Sequence, residues 1–125
     1  MSQMAELDGA FARITAMGAA KPGKPRKGKI VVTFEPKADH VLNGTGQPDL
    51  EIEGKAKDGV TFKTPVLKDK KGVAKKPREL VLDFEADAKL PAGEVGIELE
   101  LRLVDVAGKD TTPRTVQLVV PVLLP

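Results

Sequence analysis

Histidine is the side chain that changes charge near neutrality, and His40 is the only one in this chain of 125 residues. As a general base it needs a nucleophile or a substrate pocket beside it. Neither Thr45 nor Ser2 belongs to a recognisable nucleophile motif. The simpler reading is a turn histidine bonded to backbone, in a segment that runs on through Asn43-Gly44-Thr45-Gly46. Carboxylates offer a second chemistry. Asp49, Glu51 and Glu53 alternate along one segment, as do Glu98 and Glu100, and paired carboxylates can move protons or hold Ca²⁺. Here they fall between apolar residues, the positions that face water in a half-buried sheet. Asp105 and Asp110 flank a turn at Gly108, which supplies too few oxygens for a firm cation site. The chain has no cysteine, which removes thiolate nucleophiles, disulfides, Fe–S clusters and Cys-type zinc sites together. No catalytic, cofactor-binding or metal-ligating set is expected.

Basic residues are concentrated in two segments. Lys21 to Lys29 holds five and no acid; Lys68 to Arg78 holds six and only Asp69. The rest of the chain carries nine basic and seventeen acidic residues. Such segments can bind phosphates, but nucleic acid calls for stacking aromatics or for a helix or ribbon that reads a groove. The chain has four Phe, no Trp and no Tyr. The basic segments read instead as solvated loops, with Lys70, Lys71, Lys75 and Lys76 as the residues that would dock an acidic protein. Gly44-Thr45-Gly46 lacks the Lys and the helix of a phosphate cradle.

The elements that must position these groups are strands. Val95, Ile97, Leu99, Leu101 and Leu103 recur at every second residue, with Gly96, Glu98, Glu100 and Arg102 between them. That period builds one apolar and one wet face. Ile30, Val32 and Phe34 alternate in the same way, as do Leu80, Leu82 and Phe84, and Val116, Leu118, Val120 and Val122. Shorter strands are predicted at Leu50 and Ile52 and at Val60 and Phe62, and Pro91-Ala92-Gly93 is a tight turn. One segment has another period. Met4, Leu7, Phe11 and Ile14 are spaced 3, 4 and 3, which predicts a short helix over residues 3–18. Its apolar stripe would dock on the domain or serve as a contact for a partner or a second copy.

Together these predict an all-β, antiparallel β-sandwich of about seven strands, residues 21–125, preceded by a helix and lead-in over residues 1–20. No run of about 18 apolar residues suggests a membrane helix. Glu6, Asp8 and Arg13 interrupt what would be the apolar core of a secretory signal. The expected compartment is therefore the cytoplasm, or the periplasm had a leader been removed.

The order of features from about Ala20 onward resembles a known group. Lys21-Pro22-Gly23 leads into the strand Ile30 to Phe34, which leads to His40. Pro48 precedes Leu50 and Ile52, Gly59-Val60 follows, and then come the Pro91-Ala92-Gly93 turn and the return Pro113-Arg114-Thr115-Val116. This resembles the N-terminal, immunoglobulin-like domain of thiol:disulfide interchange proteins of the disulfide-corrector type. The resemblance implies an immunoglobulin-like fold. It also places cysteines where Val106 and Thr111 stand, and a tyrosine where Leu103 stands. Without thiols there is no disulfide exchange, so the expected role is a redox-inactive, non-catalytic protein-interaction or accessory module. The candidate contacts are Met4, Leu7, Phe11 and Ile14 with the four lysines named above. The alternative is a structural subunit of a larger homo- or hetero-oligomeric assembly such as a shell, coat or filament, self-associating through the helix.

Overall fold

Alternation of apolar and polar residues governs nearly every element of the computed structural model, which describes residues 4–42, 50–69 and 77–125. Among them are ten strands and no helix. They are β1 Met4–Asp8, β2 Ala12–Lys21, β3 Arg26–Pro36, β4 His40–Leu42, β5 Leu50–Gly54, β6 Val60–Phe62, β7 Val66–Asp69, β8 Arg78–Ala86, β9 Gly93–Ala107 and β10 Asp110–Leu124. Sheet I has the order β1-β2-β3-β8-β6; sheet II has the order β10-β9-β5-β7, with β4 also paired to β9. Every pairing is antiparallel. The molecule is an all-β sandwich, as its sequence pattern predicts.

The core lies between the sheets and is aliphatic. Ile97, Leu99, Leu101 and Leu103 of β9 face Ile30, Val32 and Phe34 of β3 and Leu82 and Phe84 of β8 in one buried cluster. Val116, Leu118, Val120, Val122 and Leu124 of β10 complete it. The long alternating run is the inner wall of the fold. Burial of this aliphatic surface is the main stabilising term, at roughly 1.5–3 kcal/mol for each fully buried large side chain.

Two expectations are corrected. The helix over residues 3–18 does not form; β1 and β2 make a hairpin, closed by Gly9 N–H donating to Ala12 O at 2.9 Å. The inner face of β2 is Ala12, Ile14 and Ala16, all fully buried. Two of these are alanines, which hide a period of two when only large apolar residues are counted. The pairing that holds β2 straight comes from β3, over ten residue pairs from Ala12↔Pro36 to Lys21↔Lys27. That partner is invisible to a local period. The second correction concerns Lys21–Lys29, expected as a solvated loop. It is instead the end of β2, a turn through Pro22–Pro25, and the start of β3. The expected count of about seven strands rises because β1, β2 and short pieces such as β4 and β7 are also strands.

Gly18 shows how closely the sheets approach. A Cβ there would lie 2.5 Å from Cγ2 of Val122 and 3.4 Å from Cγ1 of Ile30. A side chain at this point of β2 would push β10 away.

Candidate functional site

The outer faces of the two sheets differ in kind. In sheet I the register aligns Met4 with Met17, Met17 with Val31, and Val31 with Val81. These four form one transverse row across β1, β2, β3 and β8. They point outward because their chain neighbours Ala5, Ala16, Val32 and Leu82 turn to the core. Met4 is 44%, Met17 45% and Val81 40% exposed, with Val31 half-buried between them. With strands about 4.8 Å apart the row spans about 14 Å. Thr15, Thr33 and Glu79 form the next row on one side; Ala19, Lys29 and Asp83 form it on the other.

Beyond Ala19 the same face opens into a groove of about 770 Å³. The row Ala20–Gly28–Phe84 crosses its centre. Phe84 turns its ring into the core, so the groove floor is largely backbone. Gly28 is required here, because a Cβ would strike the Phe84 ring and the carbonyl of Ala19. The walls are Lys21, Lys27, Lys29 and Lys63, with Asp83 and Glu85. Lys29 Nζ stands 3.7 Å from Asp83 Oδ1, both well exposed, a pair worth little in water. Lys21, Lys27 and Lys63 make no ion pair with any described residue.

On the outer face of sheet II, β5 and β9 are covered by charge. Arg102 donates to Glu53 at 2.8 Å and to Glu100 at 2.7 Å, and lies 3.4 Å from Glu51. Lys55 Nζ is 3.2 Å from both Glu53 and Glu100. The hydrogen bonds from Arg102, and then from Lys55, hold the Glu53 carboxyl below its ordinary value. Glu53 in turn raises Lys55, with Glu100 second, and Glu53 raises Arg102. Each carboxylate in this network already has a cation.

One end of the sandwich carries the single histidine. His40 Nδ1 lies 2.9 and 3.0 Å from the two carboxylate oxygens of Asp105, and Arg114 Nε donates to Asp105 Oδ2 at 3.1 Å. The Asp105 side chain is only 4% exposed. The partner of His40 is thus a carboxylate from β9, where a backbone bond was expected. The His40 backbone N–H donates to Lys37 O, the Lys37 N–H donates to Phe11 O, and Lys37 Nζ pairs with Asp8 at 2.5 Å. An Asp–His contact can orient an imidazole for proton transfer. No described hydroxyl bonds to this ring, and no group of three or more His, Cys, Asp or Glu among the described residues is placed to hold a metal. The cluster ties β4, β9 and β10 together.

The expected contact residues fall on different surfaces. Met4 lies in the exposed row. Leu7 is half-buried on the inner face of β1, and Phe11 is half-buried in the β1–β2 turn beneath Arg114. Ile14 is fully buried and so offers nothing to a partner. Lys70, Lys71, Lys75 and Lys76 lie outside the described residues, as do Asp49 and Gly44-Thr45-Gly46. Sequence reasoning missed Met17, Val31 and Val81 as surface residues. The signal was present for two of them: Val31 and Val81 occupy wet-face positions in otherwise clean alternations. Among the described residues no helix is long and apolar enough to cross a membrane.

No family model matches the sequence, and no curated protein does. Among solved structures, the chain is similar to the yeast GGA1 GAE domain, with 11% identity and a TM-score of 0.52, over 98% of this chain and 99% of that one. At that identity the likeness is one of fold.

Proposed function

We propose that this chain is a non-catalytic protein-interaction module on an immunoglobulin-like scaffold, and that its docking surface is the outer face of sheet I. The observation that carries the reading is the contrast between the two faces. Sheet II covers the β5–β9 part of its outer face with the Glu51–Glu53–Glu100–Arg102–Lys55 network and leaves Val119 and Leu123 of one edge strand, β10, apolar and exposed there. Sheet I leaves Met4, Met17, Val31 and Val81 in one uncovered row beside an open groove. Scattered exposed apolar residues need no explanation, whereas an aligned row across four strands is the pattern of a contact surface.

The test places a photo-crosslinking residue at Val81 and, as a control, at Gln117 on the other outer face. The protein trapped at Val81 is identified, purified and bound again to the unmodified chain. Binding by the purified partner that is lost in a Met17→Asp/Val81→Asp variant supports the reading. Equal trapping at Gln117, or binding that survives the double variant, refutes it.

A second reading, an assembly subunit, has one observation in its favour. Val119 and Leu123 on edge strand β10 are 60% and 62% exposed. Pro113 and Pro121 on the same strand discourage edge-to-edge pairing, so such an assembly would form face to face. Sedimentation over a wide concentration range separates the two readings: a monomer throughout favours the binding module, and association lost on Val119→Glu/Leu123→Glu favours the subunit.

A further inference from the structure

Building on the reading of sheet I as the docking face, we infer that its partner is an extended protein segment with apolar residues at one end and acidic residues at the other. The apolar end lies on the Met17–Val31–Val81 row and the acidic end lies over the lysine groove. The two features share one continuous surface. Met17 and Ala20 on β2, Val31 and Gly28 on β3, and Val81 and Phe84 on β8 are each three residues apart. Three residues of strand cover about 10 Å. One extended segment laid along the strands therefore reaches both features with about three residues between its apolar anchor and its first acid.

Charge selects the acidic end. Lys21, Lys27 and Lys63 face the groove without ion pairs to described residues, and the Lys29–Asp83 pair is long and solvated. A carboxylate entering here finds cations that no described residue already holds in an ion pair. A polyphosphate is a poorer fit for two reasons. Asp83 and Glu85 stand among the lysines and would oppose a closely spaced run of charge. No aromatic ring is exposed for stacking: Phe34 and Phe84 are in the core, and Phe11 and Phe62 are half-buried against it. In an extended segment successive side chains point to opposite sides, so only every second carboxylate of a short acidic run enters the groove, where it can sit between the lysines and avoid the acids. Hydrophobic contact on the row then supplies the part of the affinity that salt does not screen.

The experiment uses the full chain, isotope-labelled for amide shift mapping, with a synthetic peptide as probe: Leu-Val-Leu, a three-residue polar spacer, then Glu-Glu-Asp. Comparison probes are the same peptide with the acids changed to amides and an oligothymidylate. The expected result is binding of the acidic peptide with shifts at Met17, Lys27, Val31 and Val81. Affinity should fall at least about tenfold for the amide peptide and for Lys27→Glu/Lys63→Glu, and should weaken with added salt. Met17→Ser/Val81→Ser should weaken both peptides. Equal binding of the acidic and amide peptides would overturn the inference while leaving the docking face in place. Tighter binding of oligothymidylate would replace it with a polyanion surface. If neither peptide shifts sheet I, the inference and the docking face fail together.

Discussion

The guanidinium carbon of Arg114 stands 4.5 Å from the centroid of the Phe11 ring, joining edge strand β10 of sheet II to the β1–β2 turn of sheet I. The same guanidinium donates through Nε to the buried carboxylate of Asp105. One side chain thus clasps the two sheets at an end where the core gives way to polar residues. Arg114→Met keeps the stem but removes the charge. It leaves Asp105 with His40 alone and should lower stability by about 1–2 kcal/mol. Phe11→Leu should cost less by itself. A double-mutant cycle between the two should show a coupling of about 0.5–1 kcal/mol, read from urea midpoints at constant m-value. No coupling would mean that the ring and the cation do not share energy.

The Arg102 network makes a prediction about pH. Arg102, and then Lys55, hold Glu53 below its usual value of 4.5, and Lys37 does the same for Asp8 below 3.8. Between the lowered folded value and the ordinary unfolded one, the unfolded chain binds more protons, so stability rises with pH in that window. The contribution is complete above the ordinary carboxylate range and is lost as pH falls through the lowered value. Glu53→Gln should flatten the acid limb of stability against pH, and high salt should flatten it in part in the wild-type chain as well, because the network is half-exposed at the surface. Lys55, raised above 10.5, acts in the opposite sense and matters only at the alkaline end. An unchanged acid limb in Glu53→Gln would remove the network from the account.

How far the sequence reaches can be followed residue by residue. The buried wall Ile97–Leu103 was legible because large aliphatics alternate with charges over a long strand, and nothing else gives that period. His40 was legible as a lone titratable group, but its partner Asp105 lies 65 positions away, and only the β4–β9 pairing brings them together. Met17 falls within residues 3–18, read as a helix because the alanines on the inner face of β2 hide its period of two. The row it joins depends on three separate registers. Each strand alone shows one exposed apolar residue, and only the assembled sheet shows a surface.

Gly18 offers a packing test. Its missing Cβ would stand 2.5 Å from a methyl of Val122, a fully buried, β-branched side chain with no room to turn. Replacing a strand glycine with alanine ordinarily favours the folded state. Here overpacking decides the sign, and Gly18→Ala should cost about 1–3 kcal/mol. Val122→Ala alone opens a cavity and also destabilises. The two together should be less damaging than their sum, since each makes space for or fills the other. Additive losses measured by thermal or chemical unfolding would show that β2 and β10 do not meet at this point.

The β9–β10 hairpin fixes a further expectation, at the two positions where the interchange-protein resemblance puts cysteines. Val106 and Thr111 are direct cross-strand partners in a register that runs unbroken from Asp110↔Ala107 to Leu124↔Gly93. Proline has no N–H to donate, so Pro113 and Pro121 belong where β10 turns its backbone groups away from β9. Thr111 shares their parity. Its pair with Val106 is therefore of the non-hydrogen-bonded kind, with Cα atoms about 4.5 Å apart and side chains at their closest. That spacing lies within the range a disulfide spans. A Val106→Cys/Thr111→Cys variant should lose its free thiols on mild oxidation. By closing a short loop it should gain up to about 2 kcal/mol over its reduced form. The pair Val106→Cys/Thr112→Cys puts the thiols on opposite faces of the sheet and should stay reduced under the same conditions. Oxidation of that second pair in preference to the first would mean that the hairpin is shifted by one residue, which would turn the apolar side chains of β10 out of the core.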